Sequence, residues 1–163
     1  MNKEKPYLRL EPLKVDDSPI IYELFHNPEV RACYTDQAIN TKEDSMDFVI
    51  RITSKGCWTW KIIDPHSNNR IIGICSLHHL DMVHKTIQIG GTLFPQFWGQ
   101  GYMSWAFVKL FEIVSQRFDV NSVIGKTQVT NLRAIRMAKG IGFSFQSLRK
   151  NTVVLVKNLN NTN

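Results

Sequence analysis

Leu8 and Leu10 alternate with Arg9 and Glu11, and Pro12 continues the same face. This period of two predicts a short first strand with one buried side. The spacing then lengthens. Asp16-Asp17-Ser18-Pro19 opens a helix, with Asp17 or Ser18 placed to cap its free N–H groups and Pro19 suited to the first turn. Ile21, Leu24 and Phe25 form its apolar stripe, which stops before Asn27-Pro28. Residues 28–40 carry no period and read as irregular. Thr41 followed by Asp44 forms a capping-box pattern, and Met46, Val49, Ile50 and Ile52 carry a second helix to a stop at Gly56.

From Cys57 the period returns to that of strands. Residues 58–63 form one strand, Asp64-Pro65 and Ser67-Asn68-Asn69 turn the chain, and residues 71–80 pair back. Residues 86–94 form a further strand that contains Gly90-Gly91. Adjacent glycines weaken a strand, so they mark a bulge or a close approach by a backbone or a ligand. After Pro95 and a glycine-bearing turn, a long helix runs from Gly101 or Tyr102 to Phe118. Phe107, Leu110, Phe111, Val114 and Phe118 share one face, and Trp105, Val108 and Ile113 make the opposite side apolar too, which predicts a largely buried helix. Residues 122–129 are the next strand and residues 131–139 a short helix ended by Gly140 or Gly142. Residues 143–148 and 153–157 close the chain as a hairpin, leaving residues 158–163 as a frayed tail.

The order β-α-α-β-β-β-α-β-α-β-β predicts an α+β fold: a mixed, mostly antiparallel sheet with helices on both faces. The long helix connects its strand to a parallel neighbour, as a crossover must. At 163 residues one domain over residues 1–163 is expected. The apolar share of 43% supplies a core, and 21% charged residues are too few for a disordered chain.

Net charge is +6 and favours an anionic partner, yet the basic residues are scattered rather than run together, which argues against nucleic acid. Cys33, Cys57 and Cys75 are odd in number and without CxxC spacing, and the first residues lack the apolar run of a signal peptide. A reduced, cytoplasmic protein with no membrane segment is expected.

The chemistry concentrates in Gln96-Phe97-Trp98-Gly99-Gln100-Gly101-Tyr102-Met103, between a strand and a helix start. Glycines there let successive N–H groups converge, and the helix N-terminus adds about half a positive charge, a setting that suits a pyrophosphate. A plain strand-to-helix turn has the same pattern, so context decides. The context is Gly90-Gly91 upstream and Asn131-Leu132-Arg133-Ala134 with Met137-Ala138-Lys139-Gly140-Ile141-Gly142-Phe143 downstream.

This set resembles the GNAT acetyltransferases, most closely their RimJ/RimL-like branch, with its Gln/Arg-x-x-Gly-x-Gly/Ala turn and its Asn-x-x-Ser helix ending in Gly-Phe. Leu24-Phe25-His26-Asn27-Pro28-Glu29-Val30 and Ile72-Gly73-Ile74-Cys75-Ser76-Leu77 extend the likeness over nearly the whole chain. The resemblance implies the acyl-CoA acyltransferase fold and acetyl-coenzyme A as cosubstrate. It implies that the main chain at Leu93 and Phe94 pairs with the pantetheine arm and that Gln96 starts the turn. Gly99 shapes that turn, and the N–H groups of Gln100, Gly101, Tyr102, Met103 and Ser104 hold the pyrophosphate. Asn131 reaches the pantetheine or the thiol end, a role compatible with capping its helix. It further implies an amine acceptor, either a protein N-terminus or a small amine, and a monomer or homodimer.

Direct attack of an amine on the thioester needs a neutral amine, a donor to the carbonyl oxygen and a proton for the thiolate. A backbone N–H at Leu93 serves as that donor if the strand bulges. Gln88 stands where many relatives carry glutamate and is no base, and Ala134 replaces the serine hydroxyl. These losses leave a second reading, a non-catalytic coenzyme A-binding module. His78 and His79 remain as groups that titrate near neutrality; consecutive on a strand, they point to opposite faces, so one at most reaches the cleft. Strand spacing also keeps Cys75, His78 and His79 from forming a metal site. Tyr34, Asp36, Glu43, Asp44 and Asp47 lie in the segment that shapes relatives' acceptor pockets. Gly91 stands where relatives often have Tyr, which predicts open space beside it, and Trp105 stands where they often have an acidic residue.

Overall fold

The computed structural model describes residues 7–34 and 38–159. Seven strands form one sheet in the order β1-β2-β3-β4-β5-β7-β6. They are β1 (Arg9–Pro12), β2 (Trp58–Asp64), β3 (Arg70–Asp81), β4 (Thr86–Leu93), β5 (Ser122–Gln128), β6 (Ser144–Arg149) and β7 (Thr152–Asn158). The helices are α1 (Ser18–His26), α2 (Pro28–Arg31), α3 (Lys42–Ile52), α4 (Tyr102–Arg117) and α5 (Leu132–Gly140).

Among these strands β4 and β5 form the parallel pair, with α4 as the crossover between them; the other pairs are antiparallel. The closing hairpin forms as expected, but its second strand, β7, inserts beside β5 and leaves β6 at the edge. Asn158 is paired with Ser122, and the Leu159 N–H donates to the Asn121 carbonyl, so these two residues of the expected tail are held to the sheet. Residues 160–163 lie outside the described residues.

Two apolar clusters sandwich the sheet. Cys75, Leu77, Ile87, Ile89 and Leu93 join Val123 and Leu155 under Ala106, Phe107, Leu110 and Val114 of α4 and Ala138 of α5. On the other side Ile74 and Phe94 meet Ile21, Leu24 and Phe25 of α1, Val30 of α2, and Phe48 and Val49 of α3. Helices thus cover both faces. The buried stripe of α4 is the predicted one, but Val108 on the opposite side is exposed. Phe111, Ile113 and Phe118 are only half-buried, so α4 is an ordinary surface-lying helix.

Local signals explain the helix ends. Thr41 and Asp44 form the predicted reciprocal box at α3, and the bonds from the Thr41 and Asn40 backbone N–H groups hold the exposed Asp44 carboxyl below its usual range. At α1 neither predicted cap acts. The chain enters through a 3₁₀ turn, Val15–Asp17, and Asp17 accepts from the Lys14 N–H (2.8 Å) and from Lys61 Nζ on β2 (2.9 Å). The segment read as irregular contains α2, because the Asn27 side chain accepts from the Glu29 N–H and Pro28 fixes the first turn. Beyond Ile52, α3 stops on Thr53, and Gly56 takes a left-handed turn (φ +88°) after it.

Candidate functional site

β4 and β5 pair in register from Thr86↔Ser122 to Ile89↔Gly125 and no farther, although both strands continue. Past that point the two strands diverge. Along β4 the Phe94 N–H donates to the Ile72 carbonyl on β3. In an antiparallel ladder bonded residues alternate, so the main-chain groups of Gly91 and Leu93 face the other way, into the gap toward β5. Gly91 is exposed in the middle of a strand, which fits a backbone opening onto a slot.

The slot leads from β4 into the glycine turn. Gly99 (φ +71°) and Gly101 (φ +80°) both take left-handed conformations that other residues adopt only at a cost. Gln100 Nε2 donates to the Gln96 carbonyl (2.8 Å) and closes the turn. The first helical bond of α4 runs from the Trp105 N–H to the Gly101 carbonyl, so the N–H groups of Tyr102, Met103 and Ser104 have no helix carbonyl. Gly101 has no side chain to cap them. An uncapped, glycine-framed helix N-terminus beside an open strand edge suits an anion joined to an extended chain.

Trp98 links this turn to the strand: its indole N–H donates to the Leu93 carbonyl (2.9 Å). The Leu93 carbonyl therefore already accepts one hydrogen bond at the gap, and the N–H of Leu93 is directed into it as well. The Trp98 ring carries the guanidinium of Arg133 over its face, 3.9 Å from the centroid, so α5 and the glycine turn touch across the mouth of the slot. A cleft of about 690 Å³ opens there, between Glu29, Ala32 and Cys33 at α2 and Gln128, Asn131, Arg133 and Arg136 at the β5–α5 turn. Asn131 accepts from the Ala134 N–H (3.3 Å) and donates through Nδ2 to Thr127 Oγ1 (3.1 Å), so it caps α5 while lining the cleft.

Of the residues singled out in sequence, Leu93, Gly99, Gln100, Gly101, Tyr102, Met103, Ser104 and Asn131 border the slot or the turn. Phe94 is buried in the α1–α3 cluster, and Gln96 is exposed at the turn's start. Three expectations need correction. A β-carbon at Gly91 would stand 2.6 Å from Met103 Sδ and 2.7 Å from its Cε, so Met103 fills the space expected to be open. His78 and His79 do not point apart: a register shift after His78 and a left-handed His79 (φ +50°) bring their Nδ1 atoms to 2.6 Å. Tyr34 packs edge-on to Phe25 (4.9 Å) and Phe48 (6.5 Å) instead of lining the cleft. Asp44 is committed to its cap, Glu43 and Asp47 are exposed on α3, and Asp36 lies outside the described residues.

Sequence reasoning did not single out Trp98, Cys33, Arg133 or Arg136 as cleft residues. The i, i+3 spacing of the two arginines on one face of α5 was the available signal. Cys75 is buried, which pushes its thiol far up from the usual range. Among the described residues no group of three or more His, Cys, Asp or Glu is placed to hold a metal ion, and no helix is long and apolar enough to cross a membrane.

The sequence model of the family described as acetyltransferase (GNAT) domain matches residues 7–144. No curated protein matches the chain. Solved structures share the fold at low identity. A Vibrio cholerae spermidine N-acetyltransferase in complex with CoA and spermine is 13% identical, with TM-score 0.81 over 95% of this chain and 97% of that one. AAC(6')-Ib in complex with ribostamycin and coenzyme A is 17% identical, with TM-score 0.79 over 93% of each chain. RimL, a ribosomal L7/L12 alpha-N-protein acetyltransferase, is 18% identical, with TM-score 0.78 over 93% of this chain and 88% of that one.

Proposed function

The chain belongs to the GNAT acetyltransferase family, and on that premise we propose that it binds acetyl-coenzyme A in the slot between β4 and β5 and passes the acetyl group to a primary amine by direct attack in a ternary complex. The observation that carries this reading is the end of pairing at Ile89↔Gly125, directly upstream of an uncapped glycine turn. Acetyl-coenzyme A supplies an acetyl group already activated as a thioester.

The chain's own groups do the rest. The N–H groups at Gly91 and Leu93 are directed where an extended amide-bearing arm needs partners, and one of them is placed to hold the thioester carbonyl oxygen. The turn from Gln100 to Ser104 offers N–H groups to the pyrophosphate, with the helix terminus adding favourable potential. Asn131 and Thr127 stand on the β5 side of the same slot, and Arg133 and Arg136 add positive charge at its mouth. Met103 closes the α4 side of β4 at Gly91, so the amine enters from the α1–α3 face.

The acceptor class is a small amine or a protein N-terminus. The Vibrio cholerae enzyme bears the name of a spermidine N-acetyltransferase and RimL that of a protein N-terminal one, and this slot supports either. The Leu24 to Val30 segment supports placement in the RimJ/RimL-like branch, acting in the cytoplasm as a monomer or homodimer.

Coenzyme A is expected to raise the melting temperature, with the gain growing as the logarithm of ligand concentration above the dissociation constant; at 100 times that constant it reaches about 2.7 kcal/mol. A melting temperature unmoved by millimolar coenzyme A contradicts the reading.

A further inference from the structure

We propose that His78 takes the proton from the attacking amine and that His79 relays it to solvent, which restores by another route the base that Gln88 lacks. The inference rests on the acetyl-transfer reading above.

β4 and β5 fork where their pairing ends. Gly90 is the first residue of β4 beyond the last paired position, Ile89↔Gly125, and therefore lies at the deepest point of the slot. His78 stands on the neighbouring strand opposite Gln88, with Ser76 opposite Gly90. Where Gly90 lacks a side chain, His78 Nε2 borders the space: a β-carbon on Gly90 would lie 3.6 Å from it and 3.6 Å from Ser76 Oγ. The even-numbered positions Ser76, His78, Gln88 and Gly90 share the face that Ile74 turns toward α1–α3, and all four are half-buried. A half-buried polar patch interrupts an otherwise apolar sheet at the fork, on the side from which the amine enters.

The second histidine gives the first its direction. The Nδ1 atoms lie 2.6 Å apart, and such a contact needs one ring to donate and the other to accept. The geometry is built in by the backbone. His79 takes a left-handed φ of +50° and the β3–β4 ladder slips between His78 and Asp81, which folds both rings together. With Nδ1 facing His79, His78 presents Nε2 to the fork. Asp81 does not compete for the pair, because its carboxylate accepts from the His84 N–H (2.9 Å) and contacts His84 Nδ1 (2.8 Å). His79 is exposed and has solvent beside it.

A bound ammonium first gives a proton to His78 Nε2, the His78 Nδ1 proton passes to His79 Nδ1, and His79 releases its Nε2 proton to water. The freed amine nitrogen then bonds to the thioester carbonyl carbon, the carbon–sulfur bond breaks, and the nitrogen's surplus proton goes through solvent to the departing thiolate. Methoxyamine arrives neutral and needs only this second stage.

The test compares amines that need a base with one that does not. Spermidine, an aminoglycoside and an N-terminal tripeptide are largely protonated near neutrality, whereas methoxyamine is already neutral. His78→Gln should retain the coenzyme A-induced melting shift, which shows that it folds. It should lose about 100-fold in transfer to whichever basic amine serves best, the scale of general-base catalysis, and stay within a few-fold of wild type with methoxyamine. His79→Ala should fall between the two. Nitrogen-15 NMR of the ligand-free protein should show one proton shared by the two Nδ1 atoms and lost in His79→Ala.

A His78→Gln or His78→Asn rate with basic amines equal to wild type overturns the proposal, as does an equal fall with both amine classes. Two unprotonated Nδ1 atoms in the NMR spectrum also overturn it. A wild-type protein that acetylates methoxyamine and none of the basic amines has no working base and contradicts it as well. Failure of the wild type to bind coenzyme A or to acetylate any amine removes the underlying reading and the proposal together.

Discussion

Replacing Gly101 with leucine is expected to raise the dissociation constant for coenzyme A by at least about 100-fold, a loss of roughly 2.8 kcal/mol. Two effects combine. Gly101 sits at φ +80°, where an L-residue pays about 1–2 kcal/mol. A β-carbon at Gly101 meets nothing within 4 Å, so a side chain would project into the open space where the turn's N–H groups converge. Gly56 separates strain from blockage, since it has φ +88° and equally empty surroundings but lies in the turn after α3. Gly56→Leu should lower stability by a similar amount and leave coenzyme A binding unchanged. Titration calorimetry on both variants decides the matter, and equal affinities would remove the glycine turn from the site.

The other large effect is expected at Gly73. There β3 and β4 come so close that a β-carbon would collide with the Thr92 carbonyl oxygen and stand 2.9 Å from the Leu93 Cα. Both obstacles are backbone, so no side-chain rotation relieves them. Gly73→Ala should cost about 3 kcal/mol, the upper range for overpacking, or roughly 6–12 °C in melting temperature for a chain of this size. The contrast is Gly91→Ala, whose nearest obstacle is the flexible end of Met103 and whose closest backbone atom, the Ile74 carbonyl oxygen, stands at 3.1 Å and need give only a few tenths of an ångström, so its cost should be smaller. Denaturant midpoints measure both, and equal midpoints for the two alanine variants would contradict the close approach. Because Gly73 pairs with Leu93, the damage should extend to the slot.

Much of this architecture is legible from local chemistry. The period of two in β2, β3 and β4, the Thr41–Asp44 box and the stripe of α4 depend on neighbours within a few residues, and the structure contains each of them. The glycine turn was readable for the same reason, since φ near +80° at Gly101 is a local demand that glycine meets.

What escaped depends on contacts between distant segments. Nothing in the β6–β7 hairpin tells which of its strands will lie against β5. Alternation assigns His78 and His79 to opposite faces, and a single left-handed residue in a bulge defeats that rule. The space beside Gly91 looked empty because its occupant, Met103, comes from the first turn of α4. Arg133 meets Trp98 only once the slot between β4 and β5 is formed.

The central claim, acetyl transfer through this slot, is tested most directly by thiol release from acetyl-coenzyme A, measured with and without an amine panel and with the product identified by mass spectrometry. The account predicts amine-dependent release, an acetylated amine, and loss of both in Gly101→Leu. Tight coenzyme A binding with no amine-dependent release would contradict it and leave a coenzyme A-binding module in its place.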